Sequence, residues 1–183
     1  MEKIKNLRPY ILSVGDVRKR KGYHISVVAF AQALEKIPGL NYIIVGYKQK
    51  NDYVNSVLNL VEKNNLTRNI HFLEDIDDNF LGELYHHAEL FLLLPVNISF
   101  DFEGFGLVFL EAGLNGLASI TTTNNGTEDA VLIGQSALAV PQNNIEATVL
   151  AITQLMTDKN LRETMGQTAK TFAEKMTWTE TVN

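Results

Sequence analysis

Short apolar runs alternate with helix-length amphipathic stretches along this chain, and that alternation leaves few folds open to it. Tyr10–Val14 ends at Gly15, and Tyr42–Val45 ends in the same way at Gly46. Ile70–Leu73, Leu90–Leu94, Leu117–Thr121 and Ala137–Val140 complete the set of expected strands. Between them, Val27, Val28, Phe30, Ala31 and Leu34 recur at helical spacing ahead of a stop at Pro38–Gly39. Asp52–Asn64 carries Val54, Val57, Leu58 and Val61 on one helix face, Asn79–Ala88 reads as a further helix, and helices from Ile145 and Leu161 fill the tail. Leu90–Leu94 is uniformly apolar, as a strand covered on both faces would be. With no internal repeat and no low-complexity linker, the pattern predicts a Rossmann-like three-layer α/β/α domain. Its sheet is parallel, of about six strands, with right-handed crossovers. Ligands of such sheets bind beyond the carboxyl ends of the strands, where the loops after Val14, Val45, Leu73, Leu94 and Ile120 open.

The stretch Asp101–Glu111, continuing through Ala112–Gly116, concentrates the chemistry. Pro95 and Gly104 keep its start non-helical, and Leu107, Val108, Leu110 and Leu114 are apolar at helical spacing from Phe105 onward. Gly104 and Gly106 allow close backbone approach where the positive end of a helix favours an anion. A helix advances about 100° per residue, so carboxylates eight positions apart would not line up on one. Glu103 is therefore expected in the loop at the helix mouth, and Glu111 on the helix roughly two turns in. An anion-seeking helix start between two carboxylates suits a sugar nucleotide: amides for the diphosphate, carboxylates for vicinal hydroxyls.

The 183 residues are 45% hydrophobic, enough for one cored domain, and a net charge of -5 argues against nucleic acid or an anionic membrane as the main partner. The run Arg18–Lys21 stands out against that acidity. Without cysteine there are no disulfides, thiolate metal sites or thiol nucleophiles. No apolar run approaches the roughly 20 residues of a membrane span, and Met1–Lys5 lacks the apolar core of a signal peptide, so a cytoplasmic location is expected. His24, His71, His86 and His87 share no metal-ligand spacing, and the adjacent His86 and His87 are expected to face different sides of their helix.

Several segments together resemble a known family: Ser13–Gly15 with Arg20–Gly22, Ile43–Gly46, the run Glu103–Ala112, and Asn125–Gly126. Their order and spacing from Tyr10 to Trp178 are similar to the donor half of group 1 (family 4) retaining glycosyltransferases with the GT-B fold. The hallmark is the pair of glutamates separated by seven residues, joined here to an Arg-Lys-Gly turn. A nicotinamide-binding Rossmann domain is disfavoured, because no Gly-x-Gly-x-x-Gly follows the first strand.

The resemblance implies a set of roles. Arg20 and Lys21 grip the donor diphosphate and stabilise it as it leaves, and Glu103 lies by the transferred sugar. Those three form the expected catalytic set; for the basic pair the alternative is a solvated turn, and for Glu103 a helix-start carboxylate. Glu111 accepts from the ribose hydroxyls, against the alternative of a surface helix glutamate. The backbone at Gly104, Phe105, Gly106 and Leu107 faces sugar or phosphate, and Gly15 and Gly46 line the same cleft. Ile76, beside Asp77–Asp78, is a candidate for backbone contact to the base, although acidic pairs also start helices. Asp101 either contacts the sugar or caps the helix. Gly126 belongs to a loop in which Asn125 replaces a glycine of the usual pattern, a substitution that a positive φ at asparagine would accommodate. Either Glu128 or Asp129 stands where relatives have glutamate, and spacing to Gly134 favours Asp129. Asp16 replaces an arginine common after the first strand, which throws more weight on Arg20 and Lys21, while Arg18 and Lys19 are expected to be simply exposed. Phe172 and Trp178 are expected to be packing residues.

By resemblance, residues 1–9 are a lead-in from a linker, residues 10–183 are the donor-binding domain, and an amino-terminal acceptor domain is absent from this chain. The absence arises either from truncation or from a separate partner polypeptide, and the linker-like Met1–Arg8 favours truncation. The expected partners are a nucleoside-diphosphate sugar, the missing domain and a saccharide or lipid-linked acceptor, with no nucleic acid. No metal and no cofactor are expected, and the missing domain would make the enzyme peripheral to the inner face of the membrane. Two other classes stay open: a non-catalytic nucleotide-binding subunit of a two-chain transferase, or another GT-B sugar-nucleotide enzyme such as an epimerase. A phosphorylase would need a cofactor lysine that the chain does not identify.

Overall fold

The computed structural model describes residues 6–48 and 50–176. Six strands form one all-parallel sheet: β1 (Tyr10–Val14), β2 (Asn41–Val45), β3 (Ile70–Leu73), β4 (Leu90–Leu92), β5 (Ser119–Thr122) and β6 (Ala137–Val140). The order across the sheet is β3-β2-β1-β4-β5-β6. From β1 the chain first winds outward to β3, then returns to β4 on the other side of β1 and winds the opposite way. Loops leaving β1 and β4 at their carboxyl ends therefore diverge and leave a crevice between them. That reversal is the feature of the fold that positions the site.

Among the described residues six helices cover the sheet: α1 (Tyr23–Lys36), α2 (Asp52–Lys63), α3 (Asp78–His87), α4 (Leu107–Leu114), α5 (Ile145–Thr157) and α6 (Lys159–Lys175). α1 packs with α2 and α5, and α4 packs with α6. Right-handed crossovers put helices of outward and return winding on opposite faces, which gives the expected three layers. Side chains cap the starts of four helices: Asn51 before α2, Asp77 before α3, Asn144 before α5 and Asp158 before α6, each accepting from a first-turn backbone N–H. Covered on both faces, the inner strands are wholly apolar or neutral; Tyr10, Ile11, Leu12, Ile43, Ile44, Leu90, Phe91, Leu92 and Ile120 are fully buried. The polar groups that β1 and β2 bury are satisfied. Ser13 Oγ and Tyr42 Oη lie 2.7 Å apart, Tyr42 donates to Ser26 Oγ at 3.0 Å, and Ser13 donates to the Leu92 carbonyl.

Boundaries shift where tertiary pairing decides them. β4 pairs only as far as Leu92, although Leu93 and Leu94 stay buried, and β5 begins at Ser119 and includes Thr122. α4 starts at Leu107 rather than Phe105, so Glu111, its fifth residue, lies just over one turn in and not two. Its buried face is Phe109, Ala112 and Gly113, whereas Leu107 and Leu114, expected on the apolar face, are 64% and 49% exposed. The reason is the α4–α6 seam, where small residues bring two backbones together: a Cβ on Gly113 would lie 3.0 Å from the Ala169 carbonyl oxygen. The rings of His86 and His87 meet edge-on at 4.9 Å instead of facing apart, since a 100° offset between Cβ atoms does not stop two rings leaning together at a helix end. Phe172 is half-buried on α6, and Trp178 lies outside the described residues.

Gly166 sits inside α6, where alanine ordinarily stabilises a helix by about 1 kcal/mol. Here a Cβ would fall 2.0 Å from the Gly116 carbonyl oxygen. Gly166→Ala is therefore expected to destabilise the domain by about 1–3 kcal/mol, read from urea unfolding; a gain in stability would contradict the seam. His24 and His71 give a pH signature. Burial holds the pKa of both below the ordinary 6.5, with Lys19 adding to the effect at His24. A depressed folded pKa favours the neutral ring, so stability is complete above the unfolded value. It is lost as the unfolded chain takes up protons below that value, and the loss levels off beneath the folded value. The melting temperature should fall between about pH 7.5 and about pH 5.5, and fall less in His24→Gln; equal falls in both proteins would contradict this.

Candidate anion and sugar-nucleotide site

β1 ends at Gly15, and the chain runs through Asp16 and Val17 into a 3-10 turn, Lys19–Lys21, that carries the basic run. Gly22 closes this turn with φ 72, and a Cβ there would lie 1.9 Å from the Leu94 carbonyl oxygen, so only glycine lets the loop after β1 lie against the end of β4. Val96 N–H donates to the Arg20 carbonyl at 2.8 Å, and Tyr23 donates from its hydroxyl to the Gly15 carbonyl at 2.6 Å. The two loops at the crevice are thus fastened to each other before any side chain of the site is considered.

Across this crevice Arg20 and Lys21 converge on one carboxylate. Glu103 Oε2 lies 2.6 Å from Arg20 Nη1 and 2.7 Å from Lys21 Nζ, and Arg20 Nε is 3.3 Å from Asp101 Oδ1. The Lys21 and Glu103 side chains are 9% and 11% exposed, that of Arg20 22% and that of Asp101 65%. The cations are therefore sunk in the crevice rather than solvated, unlike the exposed Arg18 and Lys19. Arg18 turns to Asp16 Oδ2 at 3.1 Å, so the aspartate that replaces the usual arginine occupies itself with a neighbour. Asp101 pairs with Arg20 and does not cap α4. Glu103 lies ahead of the helix, facing the basic pair, rather than on its first turn. α4 is capped by Gly106 at φ 80 with no side-chain hydrogen bond, which leaves its first-turn N–H groups unserved by any side chain.

The remaining candidates surround this cluster. Gly46 lies behind it, where a Cβ would fall 2.2 Å from the Gly15 carbonyl oxygen. Gly126 opens a 3-10 turn, Gly126–Ala130, and donates its N–H to the Glu103 carbonyl at 3.0 Å, so its position fixes the backbone of Glu103. Asn125 does not adopt the positive φ expected of it. It is extended at φ -151, and Asn124 takes the left-handed conformation with φ 64. The Asn125 side chain works instead: Oδ1 accepts from Thr127 N–H at 3.0 Å, and Nδ2 donates to the Thr122 carbonyl at 2.8 Å. Gly104 is exposed, with open space where a Cβ would be, and Phe105 packs partly on the core. Leu107 is exposed at the start of α4, Asp129 is exposed on the Gly126–Ala130 turn, and Glu128 accepts from Asn124 N–H at 3.0 Å. Ile76 is half-buried in the loop after β3, on the far side of β2 from the basic pair, and Asp77 is spent as the cap of α3.

Glu111 is exposed on α4, and its Oε2 accepts from the Tyr85 hydroxyl at 2.8 Å. This link between α3 and α4 has no local signature in the sequence, since only the packed layers bring the two residues together. The same is true of Asn97 and Gln142. Asn97 Nδ2 donates to the Asn124 carbonyl at 2.7 Å and latches the loop after β4 to that after β5, and Gln142, in the loop after β6, donates from Nε2 to the Thr123 carbonyl at 2.9 Å. Among the described residues no helix is long and apolar enough to cross a membrane.

The arrangement finds counterparts among known proteins. Over 172 residues the chain is 28% identical to a D-inositol 3-phosphate glycosyltransferase of Corynebacterium urealyticum, covering 92% of this chain and 39% of that protein. It thus spans about two-fifths of such a relative's length. A sucrose-phosphate synthase from Thermosynechococcus elongatus superposes with a TM-score of 0.81 at 26% identity, over 92% of this chain and 41% of the other. Anabaena Alr3699/HepE, solved with UDP and glucose, superposes with a TM-score of 0.83 at 20% identity, over 95% of this chain and 46% of the other. The sheet and its helices match one Rossmann-like half of the GT-B architecture. The family model described as glycosyl transferases group 1 matches residues 2–172, so the chain belongs to the group 1 glycosyl transferases.

Proposed function

We propose that this chain is the donor-binding domain of a retaining, metal-independent glycosyltransferase. It takes a nucleoside-diphosphate sugar and works with an amino-terminal domain that binds a saccharide or lipid-linked acceptor. The observation that carries this reading is the convergence of Arg20 and Lys21 on Glu103 in the crevice between β1 and β4. Two sunken cations next to a helix start that no side chain caps make a place for an anion, and a departing diphosphate needs fixed positive charge in a site that water leaves. Glu103 competes with the diphosphate for that place. When the diphosphate arrives, its oxygens take over Arg20 and Lys21, and Glu103 is released towards the sugar. There its carboxylate accepts from hydroxyls and faces the positive charge developing at the anomeric carbon. The acceptor attacks on the face from which the diphosphate departs, a phosphate oxygen takes the acceptor proton, and configuration is retained. Positioning and electrostatics do the work, with Arg20 and Lys21 supplying the charge.

Relatives of which this chain spans only about two-fifths, and a structural neighbour solved with UDP and glucose, support the reading.

Calorimetric titration with UDP, GDP and ADP tests the proposal. One diphosphate should bind preferentially, and Lys21→Ala should weaken it by about tenfold or more. Glu103→Gln should act in the opposite direction, tightening the bare diphosphate several-fold by removing the competing carboxylate, while lowering sugar transfer by the complete enzyme. Weaker diphosphate binding by Glu103→Gln would show that the carboxylate does not stand in the phosphate's place.

A further inference from the structure

Glu111 presents a difficulty that its surroundings resolve. An exposed glutamate has three rotatable side-chain bonds, and freezing them on a ligand costs part of the binding free energy. Glu111 is not free, however. Tyr85, on the last turn of α3, is 3% exposed and delivers its hydroxyl to Glu111 Oε2 at 2.8 Å. The Tyr85 ring is itself fixed, with its centroid 6.1 Å from that of Phe91 on β4, which meets Phe109 of α4 edge-on at 5.2 Å. One row of aromatic rings thus ties α3 through the sheet to the helix that carries the carboxylate. Burial, and then the Glu111 charge, push the Tyr85 hydroxyl far above its usual range, so it remains a proton donor at any working pH.

With Oε2 held by one donor, the carboxylate still offers Oε1 and a second lone pair on Oε2, a pair of acceptors in a set direction. A vicinal diol needs such a pair. We propose that Tyr85 is a positioning residue. It orients Glu111 towards the two ribose hydroxyls and so builds the domain's discrimination between ribo- and 2′-deoxyribonucleoside diphosphates. This rests on the donor-binding reading above.

The test is calorimetry on the 183-residue chain with whichever of UDP, GDP and ADP binds best, beside its 2′-deoxy counterpart. In the parent chain the deoxy compound should bind about tenfold more weakly or worse, the loss expected for a hydrogen bond to a charged group. Tyr85→Phe keeps the ring and removes the donor, and should bring that ratio down to about two- to threefold. 4-Fluorophenylalanine at position 85 fills the para position without donating, and should do the same should phenylalanine leave the fold too loose. In a Glu111→Ala background, where the ratio should be near one, Tyr85→Phe should change nothing further. A ratio unchanged in both Tyr85 variants, or both nucleotides weakened equally, would overturn the positioning role while leaving the donor site standing. A parent chain that binds both sugars alike would overturn the assignment of Glu111 to the ribose, and one that binds no diphosphate would overturn the donor reading itself.

Discussion

The structure turns on one carboxylate shared by two cations. Placing Arg20 and Lys21 in a crevice, with Lys21 almost wholly covered, incurs a desolvation cost that only a closely held anion offsets. Glu103 is that anion, and everything nearby serves to bring it there. The reversal of winding between β1 and β4 opens the crevice, and the contact of Gly22 with the Leu94 carbonyl lets the basic turn lie across it. Gly126 N–H then pins the Glu103 backbone from the β5 side. The ion pair is thus a structural element of the domain, and one that joins the loops after β1 and β4.

Around that pair the domain is close-packed on one side and exposed on the other. Behind the cluster lie Gly15 and Gly46, pressed together at the ends of adjacent strands, and a buried hydroxyl chain through Ser13, Tyr42 and Ser26. Burial pushes Tyr42 up to about 12, so this chain keeps its protons and its geometry across the working pH range. In front, Phe100 and Phe102 stand 98% and 58% exposed, alternating along the chain with Asp101 and Glu103, which turn inward to the cations. Phe100 lies in the tight turn that the two hydrogen bonds between Ile98 and Asp101 close, which projects its ring into solvent.

Much of this was legible in the sequence because it rests on period and punctuation. Apolar runs such as Tyr10–Val14 and Ile70–Leu73 give strands whose limits the sheet keeps unchanged, and the glycines after β1 and β2 mark where the loops begin. The basic pair and both glutamates could be singled out from their spacing in the family pattern. Their mutual pairing could not, since it depends on the β1–β4 adjacency, a long-range fact. The same limit explains the errors. Helical periodicity favours Leu107 and Leu114 as buried positions, but the partner helix presents Ala169 and Ala173, which select Gly113 instead. At Asn125 tolerance of positive φ predicts a backbone role, whereas its side chain makes the hydrogen bonds and the neighbouring Asn124 takes the left-handed turn. Tyr85 offered no signal, being one aromatic residue on one helix until the layers close.

The most direct test of the account is the crystal structure of this domain with its preferred nucleoside-diphosphate sugar bound. The account predicts that diphosphate oxygens lie within hydrogen-bonding distance of Arg20 and Lys21, and that the Glu103 carboxylate has left them for the sugar hydroxyls. A donor bound elsewhere, with Glu103 still closed on both cations, would contradict it.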